Sequence, residues 1–162
     1  MKKVLVIAVV SCALLAACFK NLGNGPTYVS CTPVSASDDE AKIKAFCAAD
    51  SVDYTKYAVD TNYIYYHYSA AGSGPSATAS SVIFFEYKLT LLDGTVIGQS
   101  ATPIQSAIVN LIPAFQLAAP LFKKGTHIQM VVPSILAYAC TGSSSIPANT
   151  ILHFDVTITD LD

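Results

Sequence analysis

The chain has 162 residues, a formal net charge of −2 and 12% charged residues. This length suits one domain of ordinary size. The slightly acidic balance and the lack of basic runs argue against nucleic acid as a partner, because phosphate binding needs clustered lysine and arginine.

The first residues have the features of an export signal. Two lysines precede an apolar run that is shorter than the roughly 20 residues needed to span a bilayer. Small residues follow, and the sequence L-A-A-C ending at Cys18 resembles a bacterial lipobox. We therefore expect residues 1–17 to be a lipoprotein signal peptide and Cys18 to be the lipidation site. The alternative is an ordinary signal cleaved near Ala17, which leaves Cys18 as a thiol.

Residues 18–36 are rich in Gly, Asn, Pro, Ser and Thr, a composition typical of a tether. Several acyl chains on one residue anchor a domain durably. We expect the protein in the cell envelope, attached to a membrane by its lipid anchor only. Phe19 does not resemble the inner-membrane retention signal of enteric bacteria, so the outer membrane facing the periplasm is the expected location.

Apart from Cys12 in the signal and Cys18 at the expected lipidation site, the chain has three cysteines, Cys31, Cys47 and Cys140. Export permits disulfides. Cys31 and Cys47 are closest in sequence and both precede the main domain, so their pairing is the expected one. Cys140 is then either a free loop thiol or an alternative disulfide partner, since sequence alone does not establish pairing.

Residues 37–59 are predicted to form a helical segment before the main domain. Ser37 followed by Glu40 has the spacing of a capping box, which predicts a helix over residues 38–49. Residues 60–69 are dense in tyrosine, which favours a strand, although such a tyrosine stripe also suits a ligand platform. Residues 70–75 have the composition of a turn.

The next segment reads as a β-hairpin. Apolar and polar residues alternate from Val82 to Leu91, the period expected of a strand with one buried face. Asp93-Gly94 then predicts a tight turn. Residues 101–110 have no clear period and are predicted to be irregular, with Ile104 and Ile108 contacting the core.

The C-terminal third predicts a short helix, a strand, a long loop and a final strand. Pro113 suits a first helical turn, and Pro120 should end the helix near Ala119. The loop carries Tyr138. From Leu152 to Ile158 the apolar and polar residues alternate again, so the last strand should bury one face.

The sequence resembles the FKBP-type peptidyl-prolyl cis-trans isomerases. Y-K-L-T-L-L-D-G-T-V-I-G-Q-S, residues 87–100, is similar to the family pattern Y-x-G-x-L-x-D-G-x-x-F-D-S-S without a gap. The later pieces fall in the family order: Leu111-Ile112, Phe115, Phe122, Gly125, Pro133, Leu136-Ala137-Tyr138, Ile146-Pro147-Ala148-Asn149 and Thr150 to Ile158.

This resemblance implies an α+β fold in which an antiparallel β-sheet wraps around one short α-helix. The isomerase domain should occupy residues 60–162, with the helical segment as an N-terminal addition.

Carried over by position, the resemblance also implies a set of pocket residues. Tyr87, Ile97 and Phe154 would be the walls and Phe115 the floor, while Leu111 and Ile146 would close the rim. Ile112 would offer its backbone N–H, and Tyr138 its hydroxyl, to a substrate.

The chain departs from the family pattern at several pocket positions. Ile97 replaces Phe, Gly98 replaces Asp and Phe115 replaces Trp; Ala139 and Ala148 replace Gly and Pro. Gly98 removes a carboxylate that lines the family's pocket. The departures predict slow but real activity.

The expected function is rotation of Xaa-Pro bonds in unfolded or exported polypeptides, with an apolar residue preferred before proline. Neither cofactor nor metal is expected, since His67, His127 and His153 share no ligand spacing. Macrolide inhibitor binding is an open expectation, and a monomer is expected because the segment before the domain is short. The alternatives are a catalytically weak or inactive peptide-binding chaperone of the same fold and a purely structural lipoprotein.

Overall fold

The computed structural model describes residues 31–162, which form a six-stranded antiparallel sheet with a helix on each face. The strand order is β1-β2-β5-β6-β3-β4. The helices are α1 (Ala36–Ala49) and α2 (Pro113–Ala118), and the strands are β1 (Thr55–Val59), β2 (Asn62–Ser73), β3 (Val82–Thr90), β4 (Val96–Ala107), β5 (Lys124–Val132) and β6 (Leu152–Leu161). The predicted signal peptide, the lipidation of Cys18 and the tether up to residue 30 lie outside the described residues.

The main core lies between the sheet and α2, as predicted. Along β6, Leu152, Phe154, Val156 and Ile158 are buried while the intervening residues are only partly buried. Because side chains alternate across a strand, this register turns these four apolar residues toward the core that includes α2. The predicted FKBP-like α+β fold is confirmed.

The short helix α2 ends where the prediction placed its end. Pro113 occupies the first turn, and Ala114, Phe115 and Ala118 are buried against the sheet. The chain then tightens into a 3-10 turn from Ala119 to Leu121. Pro120 is tolerated there because the α-helical hydrogen-bond ladder has already ended.

The other face of the sheet carries α1, which packs through Ile43 onto Tyr63, Tyr65, Val131 and Ile151. Its N-cap is Ser35, two residues before the predicted Ser37. The Ser35 hydroxyl accepts a hydrogen bond from the Asp38 N–H, and the Asp38 carboxylate accepts one from the Ser35 N–H, which completes the capping box. Glu40, which was expected to complete a capping box with Ser37, instead forms ion pairs with Lys44 and Lys56.

Two segments predicted to be helical or irregular are strands. Residues 55–59 form β1, which pairs with β2, so the sheet begins before residue 60. Residues 101–107 belong to β4, whose register with β3 shifts between Phe85 and Tyr87. That shift interrupts the alternation of apolar and polar residues, so the strand is not recognisable from the sequence.

The tyrosine-rich strand β2 uses its rings for packing on both faces. Tyr63 and Tyr65 lie beneath α1, whereas Tyr66 and Tyr68 pack on the main core. The Tyr68 hydroxyl donates to the Leu121 carbonyl at 2.8 Å. The strand extends to Ser73, into the predicted turn at residues 70–75, with a register shift between Tyr68 and Ala70.

The disulfide joins Cys31 to Cys140, so the predicted Cys31–Cys47 pair is wrong. The Cα atoms of Cys31 and Cys140 are 5.5 Å apart, a normal disulfide separation. Cys47 lies near the far end of α1, a 14-residue helix that is about 21 Å long, and its thiol is free. The helix therefore separates the two cysteines that are closest in sequence.

Glu40 makes the stability of the fold depend on pH. Hydrogen bonds from Lys56 at 2.7 Å and from Lys44 at 3.2 Å lower the pKa of Glu40 from 4.5 to about 2. A carboxyl group with a lowered folded-state pKa stabilises the fold above pH 4.5, and this contribution disappears as pH falls toward 2.

Glu40→Gln is therefore expected to lower the urea midpoint modestly at pH 7, because the ion pairs are exposed. The difference from wild type should vanish between pH 4.5 and 2. Urea titrations at several pH values measure this difference in midpoint. The midpoint of Lys56→Gln should converge with that of wild type over the same pH range. A midpoint difference that is constant with pH would contradict the assignment.

Candidate active site

A small apolar pocket opens between α2, the inner face of the sheet and the loop after β5. Its volume is about 190 Å³. It is lined by Phe85, Tyr87, Leu89, Ile104, Leu111, Ile112, Phe115, Tyr138 and Phe154. Apart from the two tyrosine hydroxyls these side chains are apolar, so the pocket suits a hydrophobic ring.

The floor of the pocket is an aromatic cluster centred on Phe115. Its ring lies 5.3 Å from that of Phe154 in a T-shaped arrangement and 5.8 Å from that of Phe85. Such edge-to-face contacts hold the rings in defined positions. Phe115 is placed by the first turn of α2 and Phe154 by β6, so two regular elements fix the floor.

The backbone before α2 carries an N–H group at a residue that lines the pocket. Ile112 is the N-cap of α2, and within residues 31–162 its N–H has no hydrogen-bond partner. Gln116 holds this segment in place, since its Nε2 donates to the Leu111 carbonyl at 2.9 Å and to the Val109 carbonyl at 3.2 Å. Sequence reasoning missed Gln116 because its role depends on the fold of the preceding 3-10 turn, Ile108–Asn110.

Tyr138 reaches the pocket from the loop between β5 and β6. The 3-10 turn Ser134–Leu136 begins this loop, and Ala139 follows Tyr138 with a positive φ of 42°. Among residues 31–162, nothing hydrogen-bonds to the Tyr138 hydroxyl. The hydroxyl is thus available to a bound ligand.

The structure brings six of the eight predicted site residues into the lining: Tyr87, Leu111, Ile112, Phe115, Tyr138 and Phe154. Ile97 and Ile146 lie outside it. Ile97 packs against the core from β4, and Ile146 is buried within the core cluster beneath the loop.

The lining adds three residues that the sequence reading did not assign to the site. Phe85 and Leu89 share the inward face of β3 with Tyr87, so the alternation already contained this signal. Ile104 was placed in an irregular stretch. It is 39% exposed, at the mouth of the pocket.

Gly98 lies beside the pocket wall. A Cβ atom added at Gly98 would be 3.6 Å from the Tyr87 hydroxyl oxygen, an ordinary contact distance. The position can therefore accept a side chain next to that hydroxyl without backbone movement.

The three histidines lie outside the pocket lining. His67, His127 and His153 are on β2, β5 and β6, and His153 is covered by Phe46 of α1, with ring centroids 5.3 Å apart. Burial lowers the pKa of His153. In the described part of the chain, no three His, Cys, Asp or Glu side chains are grouped as a metal ion would need.

Comparison with known proteins gives consistent matches. The family model described as FKBP-type peptidyl-prolyl cis-trans isomerase matches residues 74–159. A curated relative, FKBP-type peptidyl-prolyl cis-trans isomerase FkpA of Escherichia coli K12, is 32% identical over 129 residues, covering 78% of this chain and 47% of the relative. A protein of Neisseria meningitidis serogroup B named as a probable FkpA is 31% identical over 121 residues, covering 72% and 43%. This chain thus spans about half the length of the curated relatives it matches.

Solved structures show the same fold. The crystal structure of FkpA from Escherichia coli superimposes with a TM-score of 0.65 at 31% identity, covering 78% of this chain and 61% of that one. A peptidyl-prolyl cis-trans isomerase from Pseudomonas syringae also gives 0.65, at 23% identity over 81% of this chain and 98% of the other. The chain belongs to the FKBP-type peptidyl-prolyl cis-trans isomerase family.

Proposed function

We propose that this chain is a peptidyl-prolyl cis-trans isomerase that accelerates Xaa-Pro bond rotation in exported proteins. The barrier to this rotation is about 18–20 kcal/mol, because conjugation gives the C–N bond partial double-bond character. Without a catalyst the exchange takes tens to hundreds of seconds. Such a reaction needs no nucleophile and no redox chemistry, only stabilisation of the twisted amide.

The pocket has the groups that this chemistry requires. Phe115 and Phe154 offer a dry surface for the proline ring, and a dry environment disfavours the charge-separated planar amide. The Ile112 N–H is free to hold a substrate carbonyl, and the Tyr138 hydroxyl is free to hold another. Donors that are already oriented strengthen as the amide twists.

One observation carries the proposal: an aromatic floor, a free N–H and a free hydroxyl converge on one small apolar pocket. Ile104 and Leu111 make its mouth apolar. We infer that the residue before proline contacts this mouth, which favours substrates with an apolar residue there.

The test is the cis-to-trans rate of a Leu-Pro or Phe-Pro peptide, measured by magnetisation-exchange NMR. The wild-type chain should accelerate exchange, and the Tyr138→Phe, Phe154→Ala double variant should lose most of the acceleration. A folded wild-type chain with no effect on the rate would refute the enzyme proposal.

A second candidate function is a peptide-binding chaperone of weak activity. The observation that favours it is Gly98, which leaves the Tyr87 hydroxyl without the neighbouring carboxylate found in the family pattern. Peptide binding in the same NMR spectra without acceleration would support this alternative.

Gly98→Asp is expected to raise kcat/KM by about threefold to tenfold. The new carboxylate would accept a hydrogen bond from Tyr87 and orient it, and a hydrogen bond to a charged group is worth about 1.5–3 kcal/mol before offsetting desolvation. The peptide assay measures the gain. Gly98→Asn is the neutral control and should give a smaller rise; equal effects of the two variants, or none, would exclude the carboxylate as the missing element.

We also propose that the protein acts at the cell envelope, held by lipid at Cys18, with residues 18–30 as part of a tether. The lipobox-like L-A-A-C sequence and the export signal support this placement. Among residues 31–162, no helix is both long and apolar enough to cross a membrane. The proposed clients are proline-containing exported polypeptides met by a monomeric enzyme.

Macrolide inhibitors are proposed as ligands of the same pocket, because they present a hydrophobic ring to such sites in the family.

Metabolic labelling with a fatty-acid analogue, with Cys18→Ser as control, tests the proposed lipid anchor at Cys18.

A further inference from the structure

We propose that the segment before the sheet is a clamp that positions the loop carrying Tyr138. The N-terminal clamp is residues 31–39, and the pocket loop is residues 133–151. Asp39, Asn149 and the Cys31–Cys140 disulfide are its positioning residues. The catalytic consequence rests on the proposed function. The clamp lies before residue 74, where the family match begins.

The first tie joins α1 to the start of the pocket loop. Asp39 is only 1% exposed, and its Oδ2 accepts hydrogen bonds from the Ser134 N–H at 2.8 Å and the Ser134 hydroxyl at 2.7 Å. Ser134 is fully buried. Hydrogen bonds to a buried carboxylate are strong, and removing the acceptor leaves two buried donors without a partner.

Ser134 in turn is hydrogen-bonded to the residues on either side of Tyr138. Its carbonyl accepts hydrogen bonds from the N–H groups of Ala137 at 3.1 Å and Ala139 at 2.9 Å. The Ala139 carbonyl in turn accepts from the Asn149 N–H at 2.7 Å. Tyr138 is therefore flanked on both sides by residues bonded to the anchor at Ser134.

The second tie runs from Asn149 back to the clamp. The Asn149 Nδ2 donates to the Thr32 carbonyl at 3.0 Å, and its Oδ1 accepts from the Val34 N–H at 3.3 Å. Asn149 has a positive φ of 55°, a conformation that asparagine adopts more readily than most residues. The far end of the pocket loop is thus bonded to residues 32–34 of the clamp.

The third tie is covalent. Cys140 is bonded to Cys31 and lies two residues from Tyr138. The two hydrogen-bonded ties make a closed path from Asp39 through Ser134, Ala139 and Asn149 to the clamp, and the disulfide adds a covalent link beside it. Ala139 itself has a positive φ, which the chain would not favour without such restraints.

The path predicts a specific kinetic effect. When ties are broken, the loop opens more often and Tyr138 leaves the pocket, so fewer molecules are competent to bind substrate. Saturating substrate selects the closed loop again, so KM rises while kcat stays near the wild-type value. Loss of the Tyr138 hydroxyl itself should instead lower kcat.

The experiment uses the full chain carrying Cys47→Ser, oxidised or treated with dithiothreitol, alone and with Asp39→Ala. Dithiothreitol reduces the Cys31–Cys140 disulfide to two thiols and is itself oxidised to a cyclic disulfide. Asp53→Ala is the matched control, since within the described residues it removes an exposed carboxylate that lies outside the clamp and makes no hydrogen bond to the pocket loop. Circular dichroism verifies that each protein is folded.

The first readout is amide hydrogen exchange, which does not depend on activity. Asp39→Ala should speed exchange at Ala139, Thr141 and Ile146 by about tenfold, with Val156 of β6 as internal reference, because one charged hydrogen bond is worth about that factor. In the reduced Asp39→Ala protein, KM for a Leu-Pro peptide should rise at least about threefold with kcat retained.

Unchanged loop exchange in both the Asp39→Ala protein and the reduced Cys47→Ser protein would overturn the clamp. So would faster exchange accompanied by an unchanged KM in the doubly loosened protein. If the wild-type chain shows no acceleration at all, the proposed function fails, and the exchange data alone decide whether the clamp holds the loop.

Discussion

Phe154→Leu is expected to lower kcat/KM for a Leu-Pro peptide by about tenfold. Phe154 lines the pocket and packs edge-on against Phe115, with ring centroids 5.3 Å apart. An aromatic pair of this kind is worth about 0.5–1.5 kcal/mol beyond its buried area, and 1.36 kcal/mol corresponds to tenfold in rate. Leucine keeps the site apolar but leaves the proline ring without its aromatic surface.

Phe122→Leu separates this effect from a general loss of stability. Phe122 is fully buried and its ring lies 5.7 Å from that of Phe115, but it does not line the pocket. Both variants should lose a similar free energy of unfolding in urea, since each removes similar volume from the core. Equal kcat/KM values for the two variants would show that Phe154 acts only as a core residue.

Removing the Cys31–Cys140 disulfide is expected to lower the free energy of unfolding by about 4 kcal/mol. The bridge closes a loop with a sequence separation of 109, and the chain-entropy model assigns about 4–5 kcal/mol to loops of this size. The double variant Cys31→Ser, Cys140→Ser should therefore unfold at a much lower urea concentration than wild type.

Cys47→Ser is the control for this measurement. Its thiol is free and partly buried in the smaller core under α1, so the change should cost little. Addition of dithiothreitol should lower the urea midpoint of wild type toward that of the double variant and leave the double variant unchanged. A wild-type midpoint insensitive to reductant would contradict the pairing.

Much of the sheet and most of the pocket could be predicted because the signals are local or follow the chain order. The alternation in β3 and β6 reports which face of each strand is buried, whatever its neighbours are. The turn at Asp93-Gly94 depends on a glycine with a φ of 87°, a property of a single residue.

Pocket-lining residues could be predicted where each one follows directly from its element. Tyr87, Phe115 and Phe154 belong to β3, α2 and β6, whose registers are set by their own apolar patterns. Ile104 was not assigned to the pocket because the irregular pairing of β3 with β4 interrupts the alternation that would have revealed it.

By itself the sequence determined the family fold through its resemblance to the isomerase motifs. Local periodicity and residue type were enough to determine the inward faces of the strands and the aromatic character of the pocket. Only the tertiary structure decided that Cys140 pairs with Cys31, that Ser35 caps α1 and that Asp39 binds Ser134. These contacts join residues up to 109 positions apart or choose between two nearby serines. The choice depends on how α1 docks on the sheet, and docking is a property of packed surfaces that no single stretch of sequence contains.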